Sequence, residues 1–136
     1  MEKTGEFNIV LLGIIYNPEN KKILIGRREN DPYLPELSWS FPGGRLRRGE
    51  ELGGAFKKRV KEKTGLEVAN LGSIFSKVYP EKDNLVAIYF LSEIRNGEEK
   101  AQQDFVELKW VSPEEIEGYF KTSFHSRLKE YMLNLK

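Results

Sequence analysis

Arg59, Glu62 and Lys63 stand three and four residues apart in "AFKKRVKEKTG", so on a helix all three project from one face. Carboxylates at that spacing would present several oxygens together, the ligands a hard divalent cation requires. Here only Glu62 is acidic, and its two neighbours are bases suited to phosphate oxygens. The preceding "FPGGRLRRGE" sets Arg45, Arg47 and Arg48 beside a glycine pair and ends in Glu50, while Arg28 stands upstream. Each residue also has a plainer reading. Glu62 is placed to pair with Lys58 or Arg59, an interaction of a few tenths of a kcal/mol, and Glu50 carries a charge favoured near a helix's first turn. Arg59 and Lys63 can form a solvated helix face, and "RLRR" is expected to split between a cleft and water.

A helix and neighbouring strands must position these groups. From Glu51 to Thr64, Leu52, Ala55, Phe56 and Val60 recur at helical spacing, and Gly65 stands where a helix end takes a left-handed residue. Gly53 and Gly54 imply either close packing on their bare face or a weak first turn. Phe7 to Tyr16 is apolar almost throughout and predicts a central strand covered on both faces, turned by "NPENKK" into "ILIG" as a hairpin. "RRENDPYLPELSW" reads as a loop leading into a short strand at Trp39 to Phe41. "LEVANLGSIFSKVYP" and "LVAIYFLSEI" form a second hairpin through "EKDN", "RNGEEKAQQ" a polar loop, and "FVELKWV" a strand. "SPEEI" has the capping-box pattern, Ser112 with Glu115 three residues on and Pro113 first in the helix. Phe124, Leu128, Met132 and Leu135 share one face of a C-terminal helix. The expected class is α/β, a mixed β-sheet sandwiched between α-helices.

A chain of 136 residues is expected to be a single domain, residues 1–136. Its charged fraction of 32% balances to a net +1, so no field of one sign argues for nucleic acid or a membrane as partner. No cysteine is present, which excludes disulfides, thiolate metal sites and a thiol nucleophile. The apolar run near the start lacks a basic flank and a small-residue cleavage site, so a cytoplasmic location is expected. His125, the only histidine, has the intrinsic pKa of a general base, but at a helix start a cap or surface role is the ordinary one. Tyr33 and Trp39 flank the cleft-forming loop and could stack a base, with core packing the plainer role of Trp39.

In this order of elements the chain resembles the Nudix hydrolase family, MutT-like. The family's box runs Gly, five residues, Glu, seven residues, Arg-Glu, an aliphatic, any residue, Glu-Glu, any residue, Gly, an aliphatic. It falls on Gly44 to Leu66: Gly44, Glu50, Val60, Glu62, Gly65 and Leu66 match, whereas Lys58, Arg59 and Lys63 replace the Arg and two of the acids. "WSFPGG" before it and "ELKWVSPEEI" after it also look like Nudix sequences.

The resemblance implies a Nudix fold, an α/β/α sandwich, and hydrolysis of a nucleoside diphosphate linked to another moiety with Mg²⁺ or Mn²⁺. It makes Glu62 and Glu50 the catalytic candidates, and Glu62 and the Gly44 carbonyl the metal candidates. Replacing two acids by two bases changes the face by four charge units, which opposes a bare divalent ion by several kcal/mol even at an effective dielectric of about 20. Metal is therefore expected to be weakly held or absent. Arg28, Arg45, Arg59 and Lys63 are then expected to bind substrate phosphates. Asp83, Glu98, Glu99, Asp104 and Glu107 are unranked candidates for an acid recruited from outside the box. An Arg after the glycine pair also resembles the GDP-mannose mannosyl hydrolases, although their last cluster Glu is Lys63 here. The expected partner is a small nucleotide derivative, with a homodimer compatible. The alternative is a non-catalytic nucleotide- or protein-binding module on the same fold.

Overall fold

The apolar run near the start becomes the spine of the sheet in a computed structural model that describes residues 5–29, 38–120 and 125–135. This strand, β1 (Asn8–Asn17), sends Leu11 and Ile15 into one core and Leu12, Ile14 and Tyr16 into the other, as a period of two requires of a strand covered on both faces. One edge of β1 pairs in parallel with a long strand at Lys82–Gly97, from Asn8 opposite Leu85 to Ile15 opposite Ser92. Its other edge is divided. Tyr16 and Asn17 pair with β2 (Lys22–Arg28) across the hairpin, whereas Val10 to Leu12 pair with a three-residue strand at Gly43–Arg45.

In chain order the remaining strands are β3 (Trp39–Ser40), β4 (Gly43–Arg45), β5 (Leu66–Tyr79), β6 (Lys82–Gly97) and β7 (Phe105–Val111). The sheet runs β3-β2-β1-β6-β5, with β4 against β1 and β7 against β2. Beyond the first hairpin β2 therefore leaves β1 and takes β3 and β7 as neighbours. This divergence opens the sheet beside β4.

Helix α1 (Leu52–Thr64) covers one face with Ala55, Phe56 and Val60. Gly65 ends it at φ 76, and a Cβ there would lie 2.2 Å from the Glu98 carbonyl oxygen, so glycine is required twice over. Leu52, expected on the apolar face, is 41% exposed. Outside the helix itself no atom lies within 4 Å of a Cβ built on Gly54, and only Asn70 Nδ2 approaches one on Gly53, at 3.7 Å, so close packing on their bare face is not the reason for the pair. Helix α2 (Ser126–Leu133) covers the opposite face with Leu128 and Met132, completing the sandwich. Phe124 lies outside the described residues.

Three expectations change. "EKDN" is not a loop, because β6 begins at Lys82 and only Pro80 and Glu81 turn the chain, and "RNG" continues β6 opposite Leu66 and Glu67. A long antiparallel partner satisfies polar residues that composition alone assigns to loops. In "SPEEI" Ser112 Oγ donates to the Glu115 carboxylate at 2.7 Å, a side-chain pair and not the side-chain-to-backbone bonds of a capping box, and the segment opens a turn followed by a single 3-10 turn at Ile116–Tyr119. Gly118 and the extended Phe120 that follows give an α-helix no room to propagate. None of the described helices is long and apolar enough to cross a membrane.

Candidate functional site

The opening between β1 and β2 is a cleft of about 860 Å³. Val10, Leu12, Leu85 and Tyr79 give it an apolar wall, β4 supplies Gly44 and Arg45, β2 ends in it with Arg28, and α1 contributes Arg59, Glu62 and Lys63. Among the described residues six cationic side chains border it, Arg28, Arg45, Arg47, Arg48, Arg59 and Lys63, against two carboxylates, Glu62 and Asp104. A concave site with one dominant sign focuses its field on an oppositely charged ligand. The net charge of +1 for the whole chain conceals this local excess.

Arg59 is the most deeply placed of these cations, with its side chain 4% exposed. Its stem lies against Gly44, where a Cβ would come within 3.1–3.2 Å of it. Nε donates to the Arg45 backbone carbonyl at 3.1 Å, and Nη2 lies 2.8 Å from each oxygen of Glu50. Nη1 has Glu62 at 3.7 Å, an ion pair beyond hydrogen-bond length, and is itself buried with no hydrogen-bond partner. Of the three nitrogens of Arg59, expected to contact phosphate, two are already donating and the third is closed to solvent.

Glu50 sits behind Arg59 and does not border the cleft. The Arg47 backbone N–H, at 2.8 Å, and then the Arg59 guanidinium hold its carboxyl below the ordinary glutamate value of 4.5. A carboxylate held ionised by such donors is a poor general acid at neutral pH. Glu62, by contrast, borders the cleft with a third of its side chain exposed, so of the two catalytic candidates it is the one a substrate can reach.

A second ionic group also borders the cleft. Asp104 Oδ2 lies 2.5 Å from Arg28 Nη2 and Oδ1 lies 3.6 Å from Lys63 Nζ, so one carboxylate gathers two of the predicted phosphate-binding cations. The register of β7 on β2, with Arg28 opposite Phe105, brings Asp104 there. Of the five unranked acids outside the box, Asp104 alone borders the cleft. Glu107 pairs with Arg27 at 3.0 Å, and Glu99 accepts from the Trp110 indole at 2.8 Å. Arg45 is half-buried and donates to Asn8, whereas Arg47 and Arg48 are exposed at the rim, so "RLRR" splits as expected.

His125 is the N-cap of α2, its Nδ1 accepting from the Arg127 N–H at 3.1 Å, and its ring lies 4.8 Å from that of Phe75. Trp39 packs edge-on against Tyr119 and on the core. Tyr33 lies outside the described residues. Tyr79, which no sequence signal singled out, lines the cleft instead.

For the divalent ion that the box would imply, the fit is poor. Among the described residues no three of His, Cys, Asp or Glu converge on a point. Glu50, Glu62 and the Arg45 carbonyl each lie beside a different nitrogen of one guanidinium, that of Arg59.

Comparison with known proteins agrees with this architecture. The NUDIX domain family profile matches residues 7–135. An ADP-ribose pyrophosphatase of Methanocaldococcus jannaschii is 30% identical over 121 residues, 84% of this chain and 68% of that protein. An 8-oxo-dGTP diphosphatase of Buchnera aphidicola is 30% identical over 101 residues, 70% of this chain and 68% of that one. Among solved structures, a NUDIX hydrolase from Nitrosomonas europaea superposes with a TM-score of 0.77 at 18% identity, covering 96% of this chain and 73% of the other.

Proposed function

The chain belongs to the Nudix family, and on that premise we propose that its cleft binds a nucleoside diphosphate joined to a second moiety and hydrolyses it. The observation that carries this reading is the convergence of Arg28, Arg45 and Lys63, from three separate elements, beside the partly exposed Glu62. Charge-assisted contacts from such cations hold phosphate oxygens and stabilise the charge that develops during transfer. The apolar wall of Val10, Leu12, Leu85 and Tyr79 is suited to the less polar part of the nucleotide. In the reaction Glu62 takes a proton from water, the water oxygen bonds to phosphorus, and the bridging P–O bond breaks to give two phosphate esters. Glu50 acts at one remove, holding Arg59.

The enclosed guanidinium also favours a second reading, a module that binds such nucleotides without turning them over. A single screen separates the two. ADP-ribose, nucleoside diphosphate sugars, dinucleoside polyphosphates and nucleoside triphosphates are each incubated with Mg²⁺, Mn²⁺ or EDTA, following product formation and thermal stabilisation together. Turnover that is lost in Glu62→Gln establishes the hydrolase, stabilisation without turnover establishes the binder, and the absence of both rejects the cleft as a nucleotide site.

A further inference from the structure

We propose that Arg59 is the resident cation of this site: its guanidinium fills the position at which Glu50, Glu62 and the Arg45 carbonyl would otherwise enclose a divalent metal, and the cleft takes polyphosphate without one. The second half rests on the reading of the cleft as a nucleotide site; the first half does not. Two carboxylates and a backbone carbonyl, drawn from a loop, a helix and a strand, are the hard oxygen ligands a divalent ion takes. In this chain the same three groups surround Arg59, which is 2.8 Å from Glu50, 3.1 Å from the Arg45 carbonyl and 3.7 Å from Glu62.

The arrangement is built for the guanidinium. Its planar fork donates to Glu50 and the Arg45 carbonyl in different directions while its charge still pairs with Glu62, which the single ammonium of a lysine could not reproduce. Gly44 leaves the channel for its stem, and the site is closed enough that its charge is little screened. A metal ion arriving there would meet a fixed positive charge, with Lys63 one helical turn further on. To displace Arg59 it would have to expel a packed stem as well as break the contacts to Glu50 and Arg45. Unlike a metal, this cation cannot be removed by a chelator.

The test begins with Mn²⁺ alone on the full chain, by calorimetry and water-proton relaxation, without nucleotide. The parent is expected to bind no Mn²⁺ at millimolar concentration. Arg59→Ala, with folding checked by circular dichroism, is expected to bind it at least about tenfold more tightly, and the gain is expected to vanish in Arg59→Ala with Glu62→Gln. Mn²⁺ binding by the parent that weakens in Glu62→Gln overturns the proposal, as does a folded Arg59→Ala that binds no better than the parent. If Arg59→Ala does not fold, the parent titration still decides, and Arg59→Lys serves as the variant. Its one compact ammonium leaves part of the oxygen set open, so it is expected to gain weaker Mn²⁺ binding, and no gain in a folded protein counts against the proposal. ADP is then titrated in EDTA and in Mn²⁺. Equal stabilisation supports metal-free binding, and stabilisation that requires Mn²⁺ overturns it. No stabilisation in either condition rejects the nucleotide reading and leaves the Mn²⁺ result to stand on its own.

Discussion

The stem of Arg59 runs across the bare Cα of Gly44, so close that an added Cβ would lie 3.1 Å from both Cγ and Cδ. Most Cβ contacts are wider than this, so the buried arginine depends on the glycine across from it.

Gly44→Ala is therefore expected to push Arg59 out of line and to lower the melting temperature by several degrees. In an Arg59→Ala background the same change should cost little, since the stem it meets is gone. A double-mutant cycle on thermal unfolding measures the difference. Equal costs in both backgrounds would show that Gly44 is needed for the β1–β4 backbone pairing rather than for Arg59.

Glu50 makes stability depend on acid in a defined direction. Its folded carboxyl lies below the ordinary value of 4.5, so the unfolded chain binds the proton more readily. The stability this contributes is complete above 4.5 and is lost as pH falls from there through the folded value. Glu50→Gln should thus melt lower than the parent at neutral pH, and the gap should close as pH is taken below 4.5. A gap that stays constant down the acid range would mean that the Arg47 and Arg59 contacts do not favour the ionised form.

The cations at the cleft should not contribute equally to binding. Arg28 and Lys63 have side chains only 17% and 13% exposed, whereas that of Arg48 is 94% exposed. Contacts to charged groups are worth roughly 1.5–3 kcal/mol when partly desolvated, but a solvated charge is screened by salt. Arg28→Ala and Lys63→Ala should each weaken ADP binding about tenfold or more. Arg48→Ala should leave it within about twofold at physiological ionic strength. Calorimetry on the three variants checks the order, and an equal loss at Arg48 would place the phosphates at the rim.

Much of the frame is legible in sequence because its signals are local. The spacing of Ala55, Phe56 and Val60 with Gly65 after them specifies α1, and the unbroken apolar run of β1 fits a strand with a core on each face. The division of labour among the cations is not local. Residues 59, 62 and 63 share a helix face and all border the cleft, but Arg59 lies deeper against Gly44, which the pairing of Leu11 with Gly44 puts there, while Lys63 meets Asp104. Asp104 could not be told from four other acids for the same reason. Its place beside Arg28 follows from the register of β7 on β2, a contact between distant parts of the chain.

Asp104 also occupies ground that a ligand would want. Its two oxygens lie on Arg28 and Lys63, as two oxygens of a phosphate would, so a nucleotide must either displace the carboxylate or share the cations with it. Asp104→Asn keeps the shape and removes the negative charge, and the like-charge repulsion removed with it is worth about 1 kcal/mol for a partly solvated group. ADP affinity in EDTA should accordingly rise by about three- to tenfold, with the gain shrinking in high salt as screening replaces the substitution. The opposite result, weaker binding in Asp104→Asn, would show that the carboxylate holds Arg28 and Lys63 in place for the ligand and that their positioning outweighs the competition.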